Sequence, residues 1–172
     1  VSIDLRRLCN RAGVSLIIDE IVSLELSQNR LVFKDRPSLV FSRLSLDVGS
    51  ETSFDNEEFQ FNNNHLVLPV KPFKQAFQAI KSLDEKSIIE DCAPFTVLGS
   101  GLAAIEIVFA LRKRWPQRKL ILQAFKTKLH PSFKKFLSLS NIQITDPKKV
   151  FKGDVLICTG SKASDWIKSS GL

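Results

Sequence analysis

The segment from Phe95 to Glu106, FTVLGSGLAAIE, constrains this chain more than any other. It is a short β-branched run, then a tight glycine turn, then a strongly apolar helix. Thr96, Val97 and Leu98 supply a buried parallel strand, and Gly99 allows a sharp turn. Gly101 lets backbone N–H groups approach an anion without a Cβ in the way, while Ala104 keeps the helix close to the sheet. The helix expected from about Gly101 to Arg114 aims its positive end at that anion. A strand–turn–helix of this kind is what a nucleotide-binding βα unit requires; the bland alternative is a turn with a purely structural role. The amide-bearing residues Ser100, Leu102 and Ala103 join the two glycines as candidates for a dinucleotide pyrophosphate.

The surroundings of that segment alternate strand and helix. The helix ends at Trp115-Pro116, because proline cannot continue it. Leu120 to Ala124 reads as the next strand, and His130 to Leu137 as a short helix with proline in its first turn. Ile142 to Ile144 and Asp154 to Cys158 complete the strands, the last closed by a second glycine turn at Thr159-Gly160. This predicts an α/β fold: a Rossmann-like parallel sheet with helices on both faces and ligand at the carboxyl ends of the strands.

The first half reads differently. Ile3 to Ala12 is an amphipathic helix stopped by Gly13. Val14 to Ile18 is expected to be a buried strand, and Ile21 to Leu26, Leu31 to Phe33 and Leu39 to Phe41 a small antiparallel β-meander. Arg43 to Gly49 adds one more strand. The polar stretch from Glu51 to Asn64 reads as an exposed connector in which Phe54, Phe59 and Phe61 patch a neighbouring surface. Leu66 to Val70 is extended. After Pro72 a helix should place Phe73, Ala76, Phe77 and Ile80 in the core.

Charge is unevenly placed: residues 1–93 carry 11 Lys/Arg against 14 Asp/Glu, residues 94–172 carry 14 against 4. A basic second half attracts anions, but without arginine–aromatic interleaving it does not point to nucleic acid. Cys9, Cys92 and Cys158 form no CxxC pair, so neither a zinc cluster nor a local redox disulfide is supported, and a reducing, cytoplasmic setting is the default. His65 and His130 have no Ser/Asp or Cys partner, and no metal site is expected. The chain opens on Val1 and contains neither Met nor Tyr, which predicts a piece of a longer polypeptide.

One ordered set of segments carries a resemblance: Ile3-Asp-Leu-Arg-Arg-Leu-Cys9, the meander, Leu44 to Ser50, Leu68 to Pro72, Val97 to Glu106, and Asp154 to Gly160. The chain resembles the middle of a two-dinucleotide-fold flavoprotein of the pyridine nucleotide-disulfide oxidoreductase superfamily. It is most similar to type II NADH dehydrogenase-like members, and among these to the portion fused ahead of selenide, water dikinase. The resemblance implies that residues 1–53 are the later part of an FAD-binding domain, 54–93 a connector and helix, 94–160 an NAD(P)H-binding domain, and 161–172 a return segment. It implies FAD contacts at Ile21, Gly49 and Ser50, a second flavin-side turn at Thr159 and Gly160, and Glu106 as the acid near the nicotinamide–flavin contact. Asp47 and Val48 stand where the family has Ala-Thr before its first glycine, and the family's opening glycine fingerprint lies outside these residues.

The activity so implied is hydride transfer from NAD(P)H to FAD and onward to an unknown acceptor, in the parent protein rather than in these residues alone. A nucleotide-binding or docking module attached to a partner enzyme such as selenide, water dikinase is the alternative. The partners expected are the dinucleotides and that fused domain, with a homodimer as an allowed assembly, no nucleic acid and no membrane segment. At the end of the second strand an NAD site usually carries an acid for the ribose hydroxyls, but here Ala124 is followed by Phe125, Lys126, Thr127 and Lys128. The missing carboxylate removes NAD selectivity. Lys126 is the candidate contact, and with Lys128 it could accommodate a 2′-phosphate; weak NAD(H) binding or a degenerate site are the other readings.

Overall fold

The computed structural model describes residues 3–54, 65–88, 92–147, 151 and 153–172. In chain order the elements are α1 (Leu5–Ala12), β1 (Ile21–Glu25), β2 (Arg30–Phe33), β3 (Leu39–Val40), β4 (Val67–Pro69), α2 (Phe73–Ser82), β5 (Phe95–Leu98) and α3 (Leu102–Arg114). Then come β6 (Leu120–Gln123), α4 (Pro131–Leu139), β7 (Ile142–Thr145), β8 (Asp154–Ile157) and α5 (Asp165–Ser169). They fall into two compact units, Val1–Val48 with Ala163–Leu172, and Gly49–Lys162.

In the smaller unit Asp4 caps α1 by accepting from the Arg6 and Arg7 amides, and Gly13 ends it in the left-handed region at φ 66°. The expected meander forms, with antiparallel order β1-β2-β3 and Leu24 opposite Leu31. Those two leucines are buried, and α5 packs on β1. Two expected strands are absent. Val14 to Ile18 and Arg43 to Gly49 have extended, apolar-rich sequences but find no neighbouring strand among the described residues, so no ladder forms. Val14, Ile17 and Ile18 are exposed rather than buried. Strand propensity needs a partner edge to be realised.

The larger unit is a five-stranded, wholly parallel sheet in the order β4-β8-β5-β6-β7, with β5 at its centre. All four β5 residues are buried. The register aligns Val97 with Leu122 and Leu156, and these merge with α2, α3 and α4 side chains in one core that includes Ala104, Val108 and Leu137. Leu98, Val155 and Ile157, which alternate with that set along their strands, form a second cluster with Phe54 and Phe151. Phe54 thus patches a surface as expected, while Phe59, Phe61 and the Asn62–Asn64 run lie outside the described residues.

The amino-terminal ends of β5 and β8 are tied by Arg118, which is 3% exposed. Its guanidinium lies over both the Phe95 and Trp115 rings, 5.2 and 5.0 Å from their centroids, and the rings themselves meet edge to face at 5.1 Å. It donates to Asp154 Oδ2 (2.5 Å), Ser87 Oγ (2.8 Å) and the Ala93 carbonyl (3.1 Å). Asp154 accepts a further bond from the Leu66 amide (3.0 Å), so both charges are compensated. α2 differs in part from expectation: Ala76 and Ile80 are buried, but Phe73 and Phe77 are 62% and 47% exposed. These two rings line a recess of about 200 Å³ against α3 instead of filling it.

Candidate functional site

The carboxyl ends of β5, β6, β7 and β8 border an open cleft of about 370 Å³. Gly99, Ser100 and Gly101 line it after β5, Cys158, Thr159 and Gly160 after β8. Gln123, Phe125 and Lys128 line it after β6, and Pro147 after β7. The chain runs outward from β5 to β6 and β7, then returns to place β8 on the opposite side of β5. The cleft therefore sits where the strand order reverses, the position at which open α/β sheets bind ligands.

The two glycines of the turn have separate physical reasons. A Cβ on Gly99 would lie 2.7 Å from the Cys158 carbonyl oxygen and 3.2 Å from the Ala104 Cβ. Only hydrogen fits there, because the Leu98 carbonyl takes the Cys158 amide (2.7 Å) and α3 sits directly behind on the fully buried Ala104. A Cβ on Gly101 would meet nothing within 4 Å. Gly101 is the N-cap of α3 at φ −84° and ψ 168°, and no side chain caps the helix. The Ala104 and Ile105 amides turn back to the Gly101 carbonyl. Those of Leu102 and Ala103 have no protein acceptor among the described residues. Free amides, the positive end of a 13-residue helix and an uncrowded backbone make a seat for an anion that fits a diphosphate.

Ser100 is tied down, its hydroxyl accepting the Phe125 amide at 2.9 Å, which fixes the glycine turn to the end of β6. Thr159 donates through Oγ1 to the Ser53 carbonyl (2.8 Å), and Gly160 adopts φ 39° beside Ser53. Glu51 and Lys162 form an antiparallel bridge with an ion pair at 3.8 Å. Ser50 accepts from the Lys71 ammonium, Thr52 from the Lys71 amide (3.1 Å). The segment 50–53 is thus laced to the chain leaving β4 and β8, with Gly49 at φ 73° before it. Burial pushes the Cys158 thiol up to about 12, so it is a neutral wall of the cleft rather than a nucleophile.

The structure brings together Gly99, Ser100, Gly101, Thr159 and Gly160 among the candidates. Leu102 and Ala103 contribute α3's first amides, while Ala104 lies beneath the turn. Glu106 is exposed on α3 and does not line the cleft. Lys126 also stays off the cleft: its amide and ammonium both face Asp146, at 3.3 and 3.8 Å. Ile21 opens β1 opposite Phe33 in the smaller unit. Gln123 and Pro147 were not foreseen, although the rule that ligands gather at strand ends points to the residues closing β6 and β7.

No protein-family model matches the chain, and no curated protein matches it. Solved structures do. The ferredoxin reductase for the CYP199A2 system from Rhodopseudomonas palustris superposes with a TM-score of 0.70 at 12% identity, over 96% of this chain and 46% of that one. Putidaredoxin reductase, in its covalent complex with putidaredoxin, gives 0.69 at 12% identity, again over 96% and 46%. The bacillithiol disulfide reductase Bdr (YpdA) from Staphylococcus aureus gives 0.58 at 11% identity, over 96% and 56%. The chain spans about half the length of these reductases, and at such identities the likeness is one of fold. No described helix is long and apolar enough to cross a membrane. What the chain shares with these reductases is an α/β fold that includes a parallel five-stranded sheet and a small antiparallel one.

Proposed function

We propose that this chain is the nucleotide-binding part of a flavin-dependent NAD(P)H oxidoreductase. The observation that carries the reading is the pair of glycines after the central strand. Gly99 admits no side chain, and Gly101 leaves α3's first amides open to an anion. In this reading residues 94–160 hold the nicotinamide dinucleotide, with the diphosphate on the Gly99 to Ala103 backbone and the nicotinamide toward Thr159 and Gly160. Residues 1–53 belong with the FAD side, through Ile21, Gly49 and Ser50; 54–93 connect and 161–172 return. Bound FAD would supply two-electron chemistry, accepting hydride and passing electrons to an acceptor such as a quinone or a small selenium or sulfur compound. The chain's own residues bind and orient the donor, and the neutral Cys158 thiol and the Leu98 side chain wall the cleft without offering a competing nucleophile. Glu106 is the acid on the nicotinamide side in the resemblance; its place outside the cleft lining makes it a weaker candidate than the glycine turn. A fused selenide, water dikinase is the proposed partner.

The test is spectroscopic. The purified parent protein should be yellow, with an oxidised-flavin spectrum that bleaches when NADPH or NADH is added without oxygen. A colourless protein that still binds the dinucleotide refutes the enzyme and leaves a nucleotide-binding module.

A further inference from the structure

We infer that Lys128, held over the Phe125 ring, is the residue that selects a 2′-phosphorylated adenosine, and that Lys126 has no part in that selection. The inference rests on the dinucleotide reading of the cleft and assigns its specificity to one side chain. The end of β6 turns through a single 3₁₀ turn, Lys126 to Lys128, closed by the Lys128 amide on the Phe125 carbonyl (2.9 Å). Side chains three apart in such a turn eclipse one another. Lys128 therefore returns over Phe125, its ammonium 5.1 Å from the ring centroid, and both residues line the cleft. Lys126, two positions earlier, is thrown the other way onto Asp146, which takes both its amide and its ammonium.

The charge around the cleft then decides what it accepts. Among the described residues that line it, Lys128 is the one that is charged, and none carries a carboxylate. Where an NAD site offers an acid to the ribose hydroxyls, β6 here ends in Gln123 and is followed by the small buried Ala124. The shelf is also joined to the anion seat: the Phe125 amide is the donor to Ser100 inside the glycine turn. A nucleotide with its 5′-phosphate toward Gly101 carries its adenosine toward Phe125, and the charge meeting the ribose there is positive.

The adenosine end can be read without nicotinamide or flavin by titrating the chain calorimetrically with 2′,5′-ADP and 5′-AMP. A charge-assisted contact predicts that 2′,5′-ADP binds about tenfold tighter or more. Lys128→Ala should bring the two to within about threefold, and Lys128→Glu should make the 2′-phosphate unfavourable. The charge-neutral removal of the other pair, Lys126→Ala with Asp146→Ala, should keep the wild-type ratio. Both lysines are exposed, so melting curves should show every variant folded. The inference is overturned if wild type binds the two ligands equally, or if the Lys126/Asp146 variant loses the discrimination while Lys128→Ala keeps it. In either case the cleft remains a nucleotide site. If neither ligand binds, the dinucleotide reading fails and takes this inference with it.

Discussion

Replacing Gly101 by aspartate separates folding from binding at a position where the structure sets them against each other. Gly101 already has the extended backbone of an N-cap, φ −84° and ψ 168°, and a Cβ there touches nothing within 4 Å. An aspartate can be accommodated without moving the chain, and its carboxylate can accept from the idle first-turn amides. Gaining a cap and a charge at the positive end of α3 should stabilise the free protein by about 0.5–1 kcal/mol and raise its melting temperature by a few degrees. The same carboxylate occupies the anion seat. A unit charge about 5 Å from a phosphate, at an effective dielectric of about 20, opposes binding by about 3 kcal/mol, which is more than a hundredfold in affinity. The assay is a thermal melt without ligand, paired with calorimetric titration of NADPH and NADH. If affinity is unchanged, these amides do not hold the diphosphate and the functional reading fails. If the variant melts well below wild type, the helix start is not an uncapped N-terminus.

Two further outcomes test other parts of the molecule. Arg118→Met leaves the Asp154 carboxylate buried with the Leu66 amide and, at 4.0 Å, His65 Nδ1, and breaking such a pair should cost about 3–5 kcal/mol in chemical denaturation; a loss below about 1 kcal/mol would contradict the network described. Cys158, with its thiol pushed up to about 12 against an ordinary value of 9.0, should react with iodoacetamide at pH 8 about a thousandfold more slowly than a free thiol. Its rate should climb roughly tenfold per pH unit toward pH 11, and a fast reaction at pH 8 would refute its burial. The sign for stability follows: the folded state keeps the proton longer, so this contribution is present below pH 9 and is lost as pH rises toward 12.

The parts of this fold that the sequence made legible are those whose signals are local. Phe95 to Arg114 carries its own strand, turn and helix, and these elements form where the local pattern put them. Gly13 stops α1 by a rule acting within four residues. Val14 to Ile18 and Arg43 to Gly49 failed because a strand is defined by its neighbour, which no periodicity reveals. Phe73 and Phe77 failed for a related reason: helical spacing shows which side chains share a face, but not whether another element covers it. The cleft was half legible. Its glycines announce themselves, but the choice between Lys126 and Lys128 depends on a single 3₁₀ turn and on Asp146, twenty positions away.

The two ends of the five-stranded sheet differ in what their described residues leave open to a ligand. Both ends present strand termini and polar groups, and both contain a glycine where a side chain would collide. At the amino end Gly153 would set a Cβ 2.0 Å from the Pro94 carbonyl oxygen, and there the polar groups are consumed. Asp154, Arg118, Ser87 and the Ala93 carbonyl satisfy one another beside two aromatic rings, so the hydrogen-bonding capacity of these described groups is spent within the protein. At the carboxyl end the close packing of Gly99 is confined to the wall, against Cys158 and Ala104. Two residues later the backbone is uncovered and its amides lack a protein acceptor among the described residues. Idle donors at a helix start weaken a fold unless water or a ligand meets them. Their presence beside a cleft whose described lining carries Lys128 and no acid is intelligible if the missing acceptors belong to an anionic ligand.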